Sequence, residues 1–416
     1  MSSFSYWPCI LLATACWLLK YYNEIKTWLR RAEKSTKNST SYYVIDDIDK
    51  LAKSHELATA LSNLIHNDGA SSWPPAANHH VDEWPAALRG YKAIYFALSD
   101  SLSTANPSLD QDVNRVTIDH FRTRFDNLLQ QHVDLADVLD VFDEVKSEKQ
   151  DNLSPAIRNA FYSCIAWCRH AYRWGVVPVV KTAQEETVVD LPRELIEPWN
   201  HLQRYYGCSS QSGNVMSGLI LNFDDEGRHI FKANCGLSET IVSAEEQFAR
   251  IFRDIEQSAL PIYHDMVSAI IWSASNRHAC IHHLSRIQEQ LRPLISIYFD
   301  RMHDQKIARS AWLSHVQGFL AWGAGYRDEK TGKLIKFDGL SGNQILLFQA
   351  MDAFLGMESY LSIENLEQNV PFRQRELCRL LRKHSIRDRL ADELDPHNDI
   401  LQGFDQIVKR LKACDQ

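Results

Sequence analysis

Apolar residues in most of the chain recur at intervals of three and four positions, which is the spacing of one face of an α-helix. The stretches 284–295 and 377–381 are clear examples. Strict alternation of apolar and polar residues, which is typical of a half-buried strand, is rare. The pattern therefore predicts an all-α fold.

Proline-rich segments interrupt this pattern at two places. Trp73-Pro74-Pro75 and the stretch from Leu191-Pro192 to Pro198 predict loops. We expect the second to separate two helical domains, a small one over residues 41–205 and a large one over residues 206–416. The segment 215–230 contains an acidic turn and is compatible with a hairpin or with two helices.

The first 40 residues differ from the body of the chain. Residues 4–19 read FSYWPCILLATACWLL, about 16 mostly apolar positions, whereas a membrane-spanning helix needs roughly 20. The positive charges lie downstream of this segment, which predicts that the body faces the cytosol. We expect residues 1–40 to be a membrane anchor and linker, with the endoplasmic reticulum as one candidate membrane. The alternative is an amphipathic arm that packs on the body of a cytoplasmic protein.

Charge and cysteine content narrow the function classes. The chain has 416 residues, with 45 Lys and Arg against 53 Asp and Glu, a net charge of -8, and no long basic run in its body. We therefore expect no nucleic-acid partner. The nine cysteines are odd in number and widely spread, which favours reduced thiols.

Several histidines raise the question of a metal site. His278, His282 and His283 share one predicted helix, and His264 lies elsewhere in the same domain. Histidines spaced i, i+4 can bind a metal from one helical face, but no H-E-x-x-H motif completes a ligand set. The sequence therefore predicts no metal site.

A signature lies in the C-terminal part of the chain. The octapeptide 337–344, FDGLSGNQ, is followed by Phe348-Gln349, Asp352 and Leu355-Gly356. This series resembles the indoleamine 2,3-dioxygenase pattern F-x-G-G-S-A-G-Q, then F-Q, D and L-G at the same spacing. The segment 171–175, AYRWG, is similar to the family's A-Y-x-W-G, and 404–411 is similar to its Y-D-x-x-V-K-x-L. The resemblance covers roughly residues 155 to 411.

The resemblance implies a small N-terminal and a large C-terminal helical domain that enclose an apolar pocket. In that family the pocket holds haem b, and the enzyme oxidises the indole ring of tryptophan. By this resemblance, the pocket would include His170, Tyr172, Gly339, Ser341 and Gln344. A glycine-rich loop can approach a flat ligand closely and present N–H groups to it, but the same glycines also suit a simple turn before a helix. No residue is assigned a catalytic role.

The chain departs from the family pattern at both faces of this pocket. Leu340 and Asn343 replace glycines of the loop. In the same register, the family's propionate-binding arginine falls on Asp415, and its proximal histidine falls beyond Gln416. From these departures we predict no cofactor.

The expected function is a haem-free enzyme of secondary metabolism. Its substrate would be an apolar small molecule, indole-derived or terpenoid, which it would cyclise or isomerise in a closed pocket. One alternative is a haem b dioxygenase that cleaves an indole ring, if the sequence lacks a last coding segment. The other is a non-catalytic protein that binds a small molecule.

Overall fold

A computed structural model provides the structure of the chain. It describes residues 42–69, 73, 75–104, 107–143, 153–175, 181–186, 188–321, 325–327, 332, 334–336, 340–390 and 399–412. The predicted anchor and linker, residues 1–40, lie outside the described residues, and so does Gly339 of the signature loop.

Helices make up most of the described chain, which confirms the predicted all-α class. In the N-terminal half they are α1 (42–51), α2 (Glu56–Asn67), α3 (Ala86–Thr104), α4 (Gln111–His132), α5 (Leu135–Phe142), α6 (Pro155–Trp174), α7 (Lys181–Glu185) and α8 (Arg193–Tyr206). In the C-terminal half they are α9 (Glu239–Trp272), α10 (Arg277–Arg301), α11 (Arg309–Ala311), α12 (Gln317–Leu320), α13 (Leu346–Phe354), α14 (Ile363–Asn369), α15 (Phe372–Lys383), α16 (Ile386–Leu390) and α17 (Asp399–Lys412).

A few short elements complete the fold. Strands β1 (Gly325–Arg327) and β2 (Leu334–Lys336) pair antiparallel, with Tyr326 opposite Ile335. Val81–Glu83 and Gly342–Gln344 form 3₁₀ turns, and Met216–Ile220 and Trp312–Val316 form π-helical turns. In the described part of the chain, the structure therefore adds a small two-stranded ribbon to the helices.

The central helix α6 shows how local sequence sets an element. The Ser154 hydroxyl accepts a hydrogen bond from the N–H of Ile157 at 3.3 Å, and Pro155 occupies the first turn, as favourable helix starts require. The helix ends at Gly175, whose φ of 57° suits a residue without Cβ. Since α6 is buried on nearly all sides, it forms the centre of the core.

The apolar periodicity places the remaining helices. In α10 the predicted stripe is buried at Leu284, Ile287, Leu291 and Leu294, and it packs against the long helix α9 and against α17. Helix α2 packs on α15. Buried residues from both predicted domains belong to one continuous apolar cluster. The boundary near residue 205 stays a prediction.

The second predicted loop is wrong in part, because Pro198 lies inside helix α8. A proline inside a helix removes the N–H that would bond to the carbonyl four residues earlier, here that of Glu194. The hydroxyl of Tyr91, on α3, donates to this carbonyl at 2.7 Å instead. A tertiary hydrogen bond thus replaces the missing helical one, which periodicity in the sequence alone does not reveal.

The segment 215–230 contains a hairpin-like turn rather than two helices. After the π-helical turn at Met216–Ile220, Phe223 and His229 form an antiparallel bridge. The turn between them places Gly227 at a φ of 78°, which favours glycine.

Membrane association rests on residues 4–19, which lie outside the described chain. In the part of the chain that the structure describes, no helix is both long enough and apolar enough to cross a bilayer.

Candidate functional site

An apolar groove of about 400 Å³ opens between α10 and α13. We call it the α10–α13 groove. Side chains from α9, α10, α13 and α17 and from the turns next to α13 line it: Ile255, Leu291, Leu294, Ile295, Tyr298, Phe299, Asn343, Leu347, Phe348, Met351, Asp352, Met357, Tyr360 and Leu411. Concave, mostly apolar sites with a few polar groups are the usual form of small-molecule sites.

Asp352 is the carboxyl group in this lining. Burial raises its pKa, while a backbone N–H donated by Tyr360 and the charge of Arg382 oppose the shift. Asp352 therefore holds a proton more readily than an exposed aspartate does. A carboxyl group in such a setting suits proton transfer to or from an apolar ligand.

Positive charge lies next to the groove. A shallower depression shares Ile295 with the groove and is bordered by Arg292, Ser296 and Arg410. Arg410 also donates to the Gln288 carbonyl at 3.1 Å. A ligand with an apolar body and a polar or anionic end would therefore match the groove and its border.

The signature loop contributes Asn343 to the groove. Its 3₁₀ turn, Gly342–Gln344, places Asn343 in the groove and Gln344 in a small enclosed cavity beside it. Gly342 lies so close to Phe252 that an added Cβ would be 2.7 Å from the aromatic ring. The absence of a side chain at Gly342 thus allows the Phe252 ring to pack against the backbone of the loop.

Leu340, which replaces a glycine of the family pattern, also packs inward. An added Cβ on Gly218 would be 2.5 Å from a Leu340 methyl carbon, so the leucine side chain covers the backbone at Gly218. Both contacts favour the interpretation of the signature loop as a packed turn.

The enclosed cavity behind the turn has room for about one water molecule. Gln344 is buried there, and its Oε1 accepts the N–H of Val215 at 3.1 Å. Asn369 lines the same cavity. Among the described residues, neither Gln344 Nε2 nor Asn369 Oδ1 has a hydrogen-bond partner. The lining is mostly apolar, and these two polar groups are the kind that an internal water can satisfy.

Glu256, on α9, also lines this cavity and is 1% exposed. One carboxyl oxygen accepts the N–H of Leu347 at 2.9 Å, and the other accepts the hydroxyl of Tyr263 at 2.9 Å. Burial raises the pKa of Glu256 to about 7, against the opposing effect of these two donors. Glu256 thus connects α9 to the start of α13. Its carboxyl group is partly protonated at neutral pH.

His170 lies in the core, away from the groove lining. Its Nδ1 is 2.8 Å from the Phe319 carbonyl and its Nε2 is 2.8 Å from the Ser212 carbonyl. Burial lowers its pKa to about 4, so the ring is neutral at pH 7 and donates to one of these carbonyls at a time. This geometry ties α6 to two other segments.

Tyr172, two residues further on α6, faces a different neighbour. Its hydroxyl donates to Asp126 of α4 at 3.3 Å, and its ring packs against Phe125. Tyr172 does not line the groove or the enclosed cavity as the described residues define them.

Of the five predicted pocket residues, Gln344 lines a cavity next to the groove. Ser341 precedes the 3₁₀ turn, where its carbonyl accepts the N–H of Gln344 at 3.0 Å. Gly339 lies outside the described residues. The groove residues Asp352 and Phe348 belong to the signature, but no pattern in the sequence distinguishes them as site residues.

Comparison with models of known protein families gives no match, and comparison with curated proteins gives none either.

Proposed function

We propose that the protein is a haem-free enzyme, a divergent relative of the indoleamine 2,3-dioxygenases with their two-domain helical arrangement. It would bind an apolar small molecule in the α10–α13 groove and cyclise or isomerise it. The proposal is based on the groove, in which aliphatic and aromatic side chains surround one carboxyl group, that of Asp352. An indole-derived or terpenoid substrate has the apolar surface that such a lining favours.

The chemistry of the described groove lining supports a proposal without haem. None of the described residues that line the groove is a histidine or a cysteine, so the imidazole ligand implied by the resemblance has no counterpart there. Phe252 also packs closely against Gly342 of the signature loop, and Leu340 of the loop packs against Gly218. The proposed reaction therefore uses no haem.

Asp352 could act as both acid and base. Its carboxyl proton would add to a carbon–carbon double bond of the substrate, which forms a C–H bond and leaves a cation on the neighbouring carbon. Loss of a proton from an adjacent carbon to the carboxylate would then restore the double bond at a new position. The sum is an isomerisation or, where a second double bond attacks the cation, a cyclisation, and neither needs an oxidant.

Ligand binding to the groove can be tested with 1-anilinonaphthalene-8-sulfonate, a fluorescent probe with an apolar body and an anionic end. Phe348 lines the groove and is 37% exposed, so Phe348→Glu should be tolerated in the fold. We expect it to weaken probe binding about tenfold or more, because a carboxylate would enter an apolar site. Leu313→Glu is the matched control, since Leu313 is an exposed apolar residue that does not line the groove.

Catalysis needs a separate test. Cells with and without the gene should differ in a small molecule that accumulates in its absence, and the purified protein should convert that compound. We expect Asp352→Asn to abolish conversion while probe binding persists. If no compound accumulates, the enzyme proposal fails and the binding protein is the better account. If Asp352→Asn converts the compound normally, the assigned role of Asp352 is wrong.

A further inference from the structure

A second cluster of polar side chains lies between α1, α9 and α10, outside the groove lining. It consists of His264 and Asp265 on α9, His283 on α10 and Asp47 on α1, and we call it the His–Asp cluster. His264 and Asp265 are buried, and His283 is partly buried. Nothing in the proposed isomerisation uses these groups.

The cluster has the spacing of a metal site. Asp265 Oδ1 lies 2.8 Å from His283 Nδ1 and 3.3 Å from His264 Nδ1. One ligand atom from each of the three residues lies within 4.8 Å of the others. Nitrogen and oxygen ligands about 2.1 Å from a zinc-like ion lie roughly 2.9 to 3.4 Å apart, depending on coordination geometry. The His264–Asp265 distance falls within that range. The His283–Asp265 distance is slightly shorter and is that of a direct hydrogen bond, which a metal ion would have to replace.

The outer contacts orient these ligands. His264 Nε2 lies 2.7 Å from Asp47 Oδ2, so the Nε2–H donates to a carboxylate and Nδ1 is left as the free ring nitrogen. Nδ1 faces Asp265 without the geometry of a hydrogen bond. On the other side, Gln290 Nε2 donates to Asp265 Oδ2 at 2.7 Å. Metal-binding histidines typically donate a hydrogen bond to a carboxylate, and metal-binding carboxylates typically accept one from another polar group.

A lone pair on His264 Nδ1 that faces a carboxylate oxygen at 3.3 Å is unfavourable unless a positive charge lies between them. We propose that this charge is a divalent transition-metal ion of the Zn²⁺ type, bound by His264 Nδ1, His283 Nδ1 and Asp265 Oδ1. Water completes its coordination shell. The ion links α9 to α10, and Asp47 extends the link to α1.

A proton on His264 is the competing explanation. Asp265 and Asp47 raise the pKa of His264 although burial opposes this, so an imidazolium could supply the same charge. Arg286 is a further cation, with Nε 3.3 Å from Asp265 Oδ2. Burial works against ionisation of Asp265, but His264, His283 and Arg286 hold its pKa at about 2.

The test uses the full-length protein, stripped with a chelator and titrated with Co²⁺ and with Zn²⁺. We expect one Co²⁺ per chain, with visible absorption bands of a nitrogen-and-oxygen site, and displacement of the Co²⁺ by Zn²⁺. His283→Ala should lower affinity at least about 100-fold, as loss of one ligand of three does. His282→Ala is the matched control, because His282 is an exposed neighbour on the same helix. It should leave binding unchanged.

Arg286→Gln separates a metal site from a charged hydrogen-bond network. Removal of this cation should tighten Co²⁺ binding about tenfold, since it no longer repels the ion. A network held by an imidazolium would gain no metal affinity from the same change. The proposal is overturned if the wild-type protein binds no stoichiometric Co²⁺, if His282→Ala weakens binding as much as His283→Ala, or if Arg286→Gln leaves affinity unchanged.

Discussion

Replacement of Glu256 by glutamine tests the electrostatics beside the candidate site. The buried carboxyl accepts hydrogen bonds from Leu347 N–H and Tyr263 hydroxyl, and its pKa is raised from an ordinary value of 4.5 to about 7. Glutamine has the shape of the protonated acid. Its oxygen can accept from Leu347, and its amide can donate to the Tyr263 oxygen. The variant therefore mimics one protonation state at every pH.

The sign and size of the effect follow from linkage. Because the folded protein holds this proton more tightly than the unfolded chain, the contribution of Glu256 to stability is full below pH 4.5 and is lost as the pH rises through about 7. One pKa unit corresponds to about 1.4 kcal/mol, so the loss approaches about 3 kcal/mol. Glu256→Gln should abolish this loss of stability at high pH.

Urea denaturation of both proteins at pH 4.5 and at pH 8 measures this difference. We expect similar free energies of unfolding at the lower pH and a variant that is more stable by about 3 kcal/mol at the higher pH. Glu364→Gln, at an exposed position of α14, is the control and should follow the wild type. Equal stability of Glu256→Gln and wild type at pH 8 would refute the reasoning that burial dominates at Glu256.

Three further substitutions test close packing and ion pairing in the fold. Gly342→Ala should destabilise the fold by about 2 kcal/mol, because the new Cβ would meet the Phe252 ring at 2.7 Å. Addition of Phe252→Leu should restore most of the lost stability, and thermal unfolding of the single and double variants measures both effects. Gly90→Ala should also lower the melting temperature despite the better helix propensity of alanine, since its Cβ would lie 2.5 Å from a backbone carbonyl oxygen of α4. Arg373→Ala should cost about 2 kcal/mol in denaturant unfolding at pH 8, because it leaves the buried Asp68 carboxylate without the guanidinium 2.8 Å away.

Periodicity identified the helices because most of them bury one stripe against a single core. The buried positions of α10 and of α15 are those that the spacing of three and four predicts. Pro198 was misread because a proline normally ends a helix, whereas here the Tyr91 hydroxyl takes over the freed carbonyl. That partner lies more than a hundred residues earlier in the chain, where no local rule can find it.

The candidate sites were harder to predict, since each combines residues from distant helices. Sequence spacing related His283 to its neighbours on α10, but the contact that matters is with Asp265 and His264 on α9. Likewise, Glu256 is one of many glutamates in the sequence, and only its burial against α13 distinguishes it. The motif identified the signature loop, but it did not reveal that Gly342 packs against Phe252.

In the proposed function, the α10–α13 groove binds and converts an apolar molecule without a porphyrin. The most direct measurement is the absorption spectrum of the full-length protein, purified from cells supplied with a haem precursor. The account predicts no Soret band above that of a mock purification, together with saturable binding of 1-anilinonaphthalene-8-sulfonate that Phe348→Glu weakens. A Soret band at one haem per chain would contradict it and would favour a haem dioxygenase.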